Sequence, residues 1–365
     1  MTAIARPLLA WTVVVAFQLF GDIWLADLAS PGRHAALFLI LLGMIGWCAF
    51  AVVEEAEHLA HLLGEPLGTL LLTLTIVTIE VGLIAAVMLG PEAAPTLGRD
   101  TMFAILMIVL NGVVGLVLLV GGLRHREQAY NLQGAVAYLS IIIPLAAIAL
   151  VLPNHTVSTP DRTLSTFQAI AFGSFTVLLY GVFLAVQTVR HRHFFVEPTA
   201  AGAPAETTPA AALPAGAMAR HSLVLLLNLL PILLLAKPLA KLIDQGIDAL
   251  HAPPALGGVL IAVIVFTPEA VSALRAALAN QLQRAVNLCL GAAASTIGLT
   301  VPAILGVGLL TGQPVTLGLD PTGVVLLAVS LAIAIVTFGG PRTTVLEGAV
   351  HLVMFFVYLV LIFSP

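Results

Sequence analysis

The chain has 365 residues, of which 60% are hydrophobic and only 9% are charged. This composition excludes an ordinary water-soluble enzyme, in which charged residues make up about 25% of the chain. The formal net charge of -4 lacks the basic surplus that electrostatic binding to nucleic acid requires, so a nucleic-acid-binding protein is excluded as well. The two cysteines, Cys48 and Cys289, lie far apart in apolar runs and predict neither a disulfide framework nor a cysteine metal cluster.

Apolar runs of about 20 residues can cross the roughly 30 Å hydrocarbon core of a bilayer as helices, and eleven such runs follow one another along the chain. They are too long and too uniformly apolar for barrel strands, so we predict an all-α polytopic membrane protein. The first run resembles a secretory signal, but Asp22 and Trp24 interrupt it, and we interpret it as an uncleaved helix. The predicted spans are 8–25, 35–53, 67–89, 101–122, 133–152, 166–188, 221–243, 255–274, 286–310, 323–339 and 345–363.

The lysines and arginines predict the orientation of the chain. Nine of them lie in segments on the same side of the membrane as the N terminus, and five lie on the opposite side. Because positive residues are retained in the cytoplasm, we expect a cytoplasmic N terminus and, with eleven spans, an external C terminus.

A Pro-, Ala- and Gly-rich stretch within residues 191–220 predicts a flexible cytoplasmic linker. It separates an extra N-terminal helix at 1–30 and a five-helix unit at 31–190 from a second five-helix unit at 221–365. Since five is an odd number, two similar units must cross the membrane in opposite orientations, which predicts an inverted repeat.

An ungapped match between residues 66–80, PLGTLLLTLTIVTIE, and residues 255–269, ALGGVLIAVIVFTPE, supports this repeat. A glycine, a threonine and the closing glutamate recur together, and an apolar composition alone does not explain that. Glu80 and Glu269 lie well inside their spans, where an ionised carboxylate costs on the order of 3 kcal/mol and persists only with a partner or a function. Inverted repeats are common in secondary transporters, which bind substrate where the repeats meet. We therefore predict that both glutamates bind cations and protons.

Three neighbouring groups are candidate supports for the glutamates. Pro268 should kink its helix and release the carbonyl oxygen of Ile264, and a carbonyl beside a carboxylate suits a hard cation. Thr78 and Thr267 lie two residues before the glutamates, about 200° around a regular helix, so they join the same site only where the helix is broken. In an unbroken helix they are packing hydroxyls.

Four segments resemble the calcium/proton antiporters of the calcium/cation antiporter superfamily, above all the bacterial ChaA type. The resemblance covers nearly the whole chain apart from the first helix and the linker. It implies eleven spans, exchange of calcium for protons by alternating access, and a bacterial inner membrane. The expected partners are inorganic cations, protons and the lipid bilayer, and no cofactor is expected. The segments are GEPLGTLLLTLTIVTIE, RDTMFAILMIVLNGVVG, QRAVNLCLGAAASTIGLTVP and GPRTTVLEGAVHL.

The family pattern Gly-Asn-x-x-Glu is matched only in part. The glutamates correspond to Glu80 and Glu269, but Ile76-Val77 and Val265-Phe266 stand where the family has Gly-Asn. Two amide ligands are therefore missing, and exchange of sodium or potassium for protons is the alternative to calcium exchange.

Further polar residues inside the spans are weaker candidates. Asn111, Ser295 and Thr296 are predicted supporting ligands, although small polar residues also join membrane helices to one another. Glu347 and His351, four residues apart in the last span, predict either a local hydrogen-bonded pair or part of a proton route.

An acidic, histidine-rich run, EEAEHLAHLLGE at 54–65, precedes the first repeated segment. Glu54, His58 and His61 share one helix face, and with Glu57 they predict a cytoplasmic cation entry or a pH sensor, because histidine titrates near neutral pH. A solvated helix end is the alternative. Asp244 is the expected counterpart of Glu57 in the second half.

Two other classes of function compete with exchange. An intramembrane metalloenzyme is a distant alternative, because His58 and His61 are three residues apart and do not form the HExxH pattern of zinc proteases. A channel or scaffold could also contain inverted repeats and polar intramembrane residues. Coupled, saturable counter-transport would distinguish an exchanger from a channel.

Overall fold

The computed structural model describes residues 2–26, 30–64, 67–89, 95–159, 163–198 and 215–364. Eleven helices in the predicted order, counted over these described residues, confirm the all-α membrane fold. Residues 199–214, most of the predicted linker, lie outside the described residues. The helices are α1 (Thr2–Ala26), α2 (Pro31–Leu63), α3 (Leu67–Met88), α4 (Leu97–His125), α5 (Leu132–His155), α6 (Thr166–Arg190), α7 (Ala215–Leu250), α8 (Ala255–Leu278), α9 (Leu282–Thr311), α10 (Pro321–Thr337) and α11 (Val345–Phe363).

Ten of these helices are long and apolar enough to cross a membrane. The exception, α10, has 17 residues and therefore extends only about 25 Å. Large apolar side chains on the outer helix faces are exposed, among them Leu178, Leu310 and Val336. In an integral membrane protein such side chains face lipid.

Local capping chemistry fixes several helix ends. Ser165 and Gln168 form a reciprocal capping box at the start of α6, and Thr344 and Glu347 form another at the start of α11. Each box satisfies backbone N–H groups that the first helical turn leaves without partners. At the end of α2, Gly64 has a φ of 67°, a conformation that a residue without a Cβ adopts at little cost.

The chain packs into two compact units, and each draws helices from both halves of the sequence. Unit 1 comprises Met1–Leu97 and Thr208–Pro268, and unit 2 comprises Gly98–Thr207 and Glu269–Pro365. Unit 1 therefore holds α1 to α3 with α7 and the start of α8, and unit 2 holds the remaining helices. The predicted five-helix repeats describe a correspondence along the sequence, and their exact layout stays a prediction.

In unit 1, α2 and α7 run antiparallel. The ring Nε2 of His34, near the start of α2, lies 2.9 Å from the carbonyl oxygen of Leu242 near the end of α7. At the other end of the pair, the carboxylate of Glu55 lies 2.6 Å from Nδ1 of His221 near the start of α7. These two helices are the first members of the predicted repeats, and an inverted repeat requires this antiparallel relation.

Unit 2 shows the same relation between α4 and α9. A methyl group on Gly98, at the start of α4, would lie 3.0 Å from Cγ2 of Ile304 near the end of α9. Shortly after the end of α4, the backbone N–H of Asn131 donates to the side chain of Gln283 at the start of α9, at 2.6 Å. The third helices in order of the two predicted repeats are therefore antiparallel as well.

Short backbone pairings join the loops of unit 2. Strand β1 (Gln128–Ala129), between α4 and α5, pairs antiparallel with strand β2 (Arg342–Thr343), between α10 and α11. A single antiparallel bridge joins Thr163, between α5 and α6, to Thr316, between α9 and α10. Each half of the sequence thus contributes two loops, one to the strand pairing and the other to the bridge.

Glycines allow α4 and α11 to pack closely in unit 2. A methyl group on Gly115 would lie 2.8 Å from the backbone nitrogen of Leu352, and one on Gly348 would lie 2.7 Å from Cα of Leu119. Real Cβ atoms do not approach backbone this closely, so the two helices can reach their observed separation only with glycine at these positions. Small residues at helix contacts are the usual means of close packing in membranes.

We predict that Gly348→Ala destabilises the protein by about 1–3 kcal/mol, because the added methyl group meets backbone atoms that cannot rotate away. Thermal unfolding in detergent would measure the loss. Gly306→Ala is the matched control, because a methyl group there has no neighbouring atom within 4 Å. Equal melting temperatures for the two variants would contradict the prediction.

Candidate ion-binding site

Glu80 belongs to unit 1 and is fully buried. It is the fourteenth residue of α3, and its exposed fraction is 0%. Val77 and Ile84, on the same helix face, are also buried. An acidic side chain this deep in an apolar helix persists only with a polar partner, a proton or a bound cation.

Glu269 occupies the matching position in α8 and is the first residue of unit 2. Its exposed fraction is 6%, and its helix face continues through the buried residues Val265 and Ala273. Pro268 lies directly before it inside the helix. Because proline has no N–H, the buried carbonyl of Ile264 receives no helical hydrogen bond from position 268. A carbonyl acceptor is thus available one turn before the carboxylate.

Thr78 and Thr267 do not share the glutamates' helix faces. Both side chains are exposed, and each hydroxyl donates to the carbonyl four residues earlier, Leu74 at 2.7 Å and Val263 at 2.6 Å. Helices α3 and α8 continue through these positions without a break. We expected the threonines to support the site only where the helix is broken, and no such break is present. Their hydroxyls instead bond to the backbone of their own helices.

A buried polar network surrounds Asn111 in unit 2. Its amide nitrogen donates to the Ser330 hydroxyl at 2.8 Å, and its amide oxygen lies 3.2 Å from Nδ1 of His351. The other ring nitrogen of His351 lies 3.0 Å from the Thr337 hydroxyl. The exposed fractions of Asn111, Ser330 and His351 are all 0%. Hydrogen bonds of this kind tie α4, α10 and α11 together.

Asn111 lies in a π-helical segment, Ile108–Val113, that widens α4 by one residue per turn. Helix α9 has a corresponding π-helical segment, Thr296–Thr300. Glu80 and Glu269 are 189 residues apart, and the same offset carries Asn111 onto Thr300. Such insertions are frequent at functional sites.

The polar residues of the α9 segment are buried to similar extents. The Ser295 hydroxyl donates to the carbonyl of Ala292 at 3.1 Å, and Thr296 is fully buried with a partner of its own. Thr300 is also fully buried, and its hydroxyl has no hydrogen-bond partner within the described part of the chain. Ser295 and Thr296 are therefore buried in unit 2, and their role as supporting ligands stays a prediction. Thr300 is the position that matches Asn111.

Glu347 and His351 do not form the local hydrogen-bonded pair that their spacing predicts. Glu347 instead accepts from the backbone N–H and hydroxyl of Thr344, at 2.8 and 2.7 Å, in the cap of α11. His351 is engaged by Asn111 and Thr337. The cap competes successfully for Glu347 because it supplies two donors at the helix start, where a negative charge is also favoured.

The acidic and histidine-rich run at the end of α2 is dispersed over several partners. Glu54 forms an ion pair with Arg6 of α1 at 2.8 Å, and its carbonyl accepts from Nδ1 of His58 at 2.6 Å. Glu57 is half-buried and His61 is exposed. These side chains follow the end of one helix and do not converge on one enclosed site.

Asp244 lies at the opposite end of the α2–α7 pair from Glu54, since α7 runs antiparallel to α2. It lines a cavity of about 750 Å³ within unit 1, together with Asp22, Lys237 and Lys241. Asp244 and Glu57, which the sequence suggests are counterparts, therefore do not lie close together in space. The predicted inverted repeat places counterparts at opposite membrane faces, and this separation is consistent with that prediction.

We predict that Asn111→Leu lowers the free energy of unfolding by about 1–3 kcal/mol, because it removes hydrogen bonds from His351 and Ser330 where water cannot replace them. Thermal unfolding in detergent is the measurement. Thr78→Val serves as the control, since that exposed hydroxyl bonds only its own helix. An Asn111→Leu variant as stable as Thr78→Val would refute the structural importance of the network.

Comparison with known proteins agrees with this architecture. The family model described as sodium/calcium exchanger protein matches residues 33–189 and 221–364. The solved structure of the selenium-substituted Ca²⁺/H⁺ antiporter YfkE superposes with a TM-score of 0.72 at 16% identity, covering 98% of this chain and all of that one. That similarity establishes the shared fold.

Two relatives match along nearly their whole length. The protein y4hA of Sinorhizobium fredii, named as a candidate ionic transporter, is 41% identical over 98% of this chain and 97% of its own. The sodium-potassium/proton antiporter ChaA of Escherichia coli is 38% identical over 100% of this chain and 96% of its own. These relatives are transporters, which excludes the metalloenzyme alternative. With both halves matched by the family model, the chain belongs to the sodium/calcium exchanger protein family.

Proposed function

We propose that the protein is a secondary active cation/proton antiporter that exchanges calcium for protons at Glu80 and Glu269. The observation that carries this proposal is the burial of both carboxylates at matching positions of two repeated segments, in a chain of the exchanger family. The meeting of the two side chains at one site is part of the proposal.

Charge balance explains how such a pair could couple two ions. Two carboxylates neutralise one divalent cation, and two protons neutralise the same pair. In either filled state the site carries no net charge, whereas the empty ionised state leaves two charges in a poorly solvating interior. Exchange follows when the cation and the protons compete for the same oxygens and the site opens to one side at a time.

Several other residues have assigned roles in this proposal. The Ile264 carbonyl is a cation ligand beside Glu269, and Asn111, Ser295 and Thr296 are supporting ligands. His351 is the residue we assign to the proton route, and its two ring nitrogens contact Thr337 and Asn111. Glu347 is the weaker candidate for the proton route, because Thr344 already donates hydrogen bonds to its carboxylate in the helix cap.

The proposal also includes the direction in which the protein is inserted. Its N terminus is cytoplasmic, by the distribution of positive residues. The acidic end of α2, with Glu54, Glu57, His58 and His61, then lies at the cytoplasmic face and serves cation entry.

We expect Glu80→Gln and Glu269→Gln each to abolish cation-driven proton movement in everted membrane vesicles, because a glutamine can neither release a proton nor neutralise a cation. Fluorescence of a pH-sensitive amine would record the proton movement. Glu127→Gln is the matched control, since that carboxylate is exposed and pairs with Arg342 outside the spans. Wild-type rates in either buried-site variant would overturn the assignment.

Exchange of sodium or potassium for protons is the second candidate function. The full-length similarity to the sodium-potassium/proton antiporter ChaA favours it. The small number of oxygen ligands near the glutamates also favours a monovalent cation, because calcium prefers six to eight oxygen ligands. The family's amides are replaced here by apolar residues, and Thr78 and Thr267 face away from the glutamates.

Reconstituted protein offered calcium, sodium and potassium separately, under an imposed pH gradient, would distinguish the two candidates. For calcium exchange, we expect saturable calcium uptake that dissipates the gradient, with little response to either monovalent ion. Monovalent uptake with no calcium uptake would replace the first candidate by the second. Cation flux without proton counter-movement would refute antiport altogether.

A further inference from the structure

We propose that Glu55, His58 and His221 form a binding site for a transition-metal ion such as Zn²⁺, joining the end of α2 to the start of α7 within unit 1. One carboxylate oxygen and one nitrogen from each ring lie within 4.8 Å of one another. The site is separate from the buried glutamates, and the inference does not depend on the proposed antiport activity.

The helices bring these three groups together from distant parts of the sequence. Glu55 and His58 are three residues apart on α2 and therefore share a helix face. His221 lies on α7, and its Nδ1 is 2.6 Å from the Glu55 carboxylate. The side chains of His221 and Glu55 are largely enclosed, with exposed fractions of 17% and 18%. The His58 ring stacks on the His221 ring, with centroids 5.2 Å apart and planes 10° from parallel.

Hydrogen bonding prepares His58 for metal binding. Its Nδ1 lies 2.6 Å from the backbone carbonyl of Glu54. A carbonyl oxygen can only accept, so Nδ1 carries the hydrogen and Nε2 keeps its lone pair. Metal-bound histidines usually donate their second ring nitrogen to a carbonyl or carboxylate in this way, which fixes the tautomer and the ring orientation.

His221 must change tautomer to bind through the nitrogen that faces Glu55. Its Nε2 lies 3.2 Å from the guanidinium of Arg220, which can only donate, so Nδ1 carries the hydrogen and donates to Glu55. When Nδ1 binds the metal, the hydrogen passes through solvent to Nε2, and no net proton is released. Arg220 is exposed and can turn away.

The ligand set selects the class of metal. Two imidazoles and one carboxylate form the open three-ligand set that zinc takes in proteins, with water in the fourth position, whereas calcium prefers oxygen ligands alone. Zinc ligand atoms lie roughly 3.3 Å apart, given zinc–nitrogen bonds of about 2.0–2.1 Å. The ligand atoms, which now lie up to 4.8 Å apart, must therefore move closer by up to about 1.5 Å, and a rotation of the exposed His58 side chain that also turns its ring toward His221 can provide this. A bound ion would link α2 to α7 directly.

Calorimetric titration of Zn²⁺ into the tag-free full chain in detergent would test the site. We expect the wild-type protein to bind one equivalent that the combined variant Glu55→Gln, His58→Ala, His221→Ala lacks. Each single histidine variant should raise the Kd at least ~10-fold. His61→Ala is the matched control, because that exposed histidine on the same helix lies outside the cluster.

Two further variants keep the test independent of folding and of transport. Arg220→Ala should lower the Kd, because it removes a nearby positive charge and the donor to Nε2. Glu269→Gln should bind Zn²⁺ like the wild type even where antiport is lost. A zinc-dependent rise in melting temperature, absent in the combined variant, would confirm that the ion binds the folded protein. Equal zinc binding by the wild-type and combined variants, or equal losses in His61→Ala and His58→Ala, would overturn the proposal.

Discussion

An acidic side chain enclosed among membrane helices must be neutralised, and this constraint governs how the molecule can work. Water stabilises a carboxylate charge far better than apolar side chains do, so an enclosed glutamate holds a proton, a cation or a polar partner. Glu80 and Glu269 are both buried in long apolar helices. In the antiport that we propose, the need for neutralisation is the means of coupling, since each ion leaves the glutamates only when another replaces it.

Each of the two structural units draws helices from both halves of the sequence. Units 1 and 2 each contain corresponding members of both predicted repeats. The antiparallel α2 and α7 lie in unit 1, and the antiparallel α4 and α9 lie in unit 2. Equivalent residues are consequently found at opposite ends of a unit, as Asp244 and the end of α2 illustrate.

Hydropathy and residue spacing predict the helices, the linker and the buried glutamates, because each depends on local composition. Contacts between distant segments are not predictable in this way. The sequence pairs Glu347 with His351 by spacing alone, whereas capping engages the first and Asn111 binds the second. Ser330 and Thr337 are single hydroxyls in an apolar span and give no distinguishing signal. Likewise, nothing near Glu55 in the sequence indicates His221, which α7 brings beside it.

The shortness of α10 has a consequence for the surrounding lipid. Its 17 residues extend about 25 Å, against a hydrocarbon thickness of about 30 Å, and Val325, Ile335 and Val336 on its outer side are exposed. Such hydrophobic mismatch is relieved when the bilayer thins locally or when polar groups at the helix ends reach toward the headgroups. Acyl chains of shorter length would fit this edge of unit 2 with less deformation of the membrane.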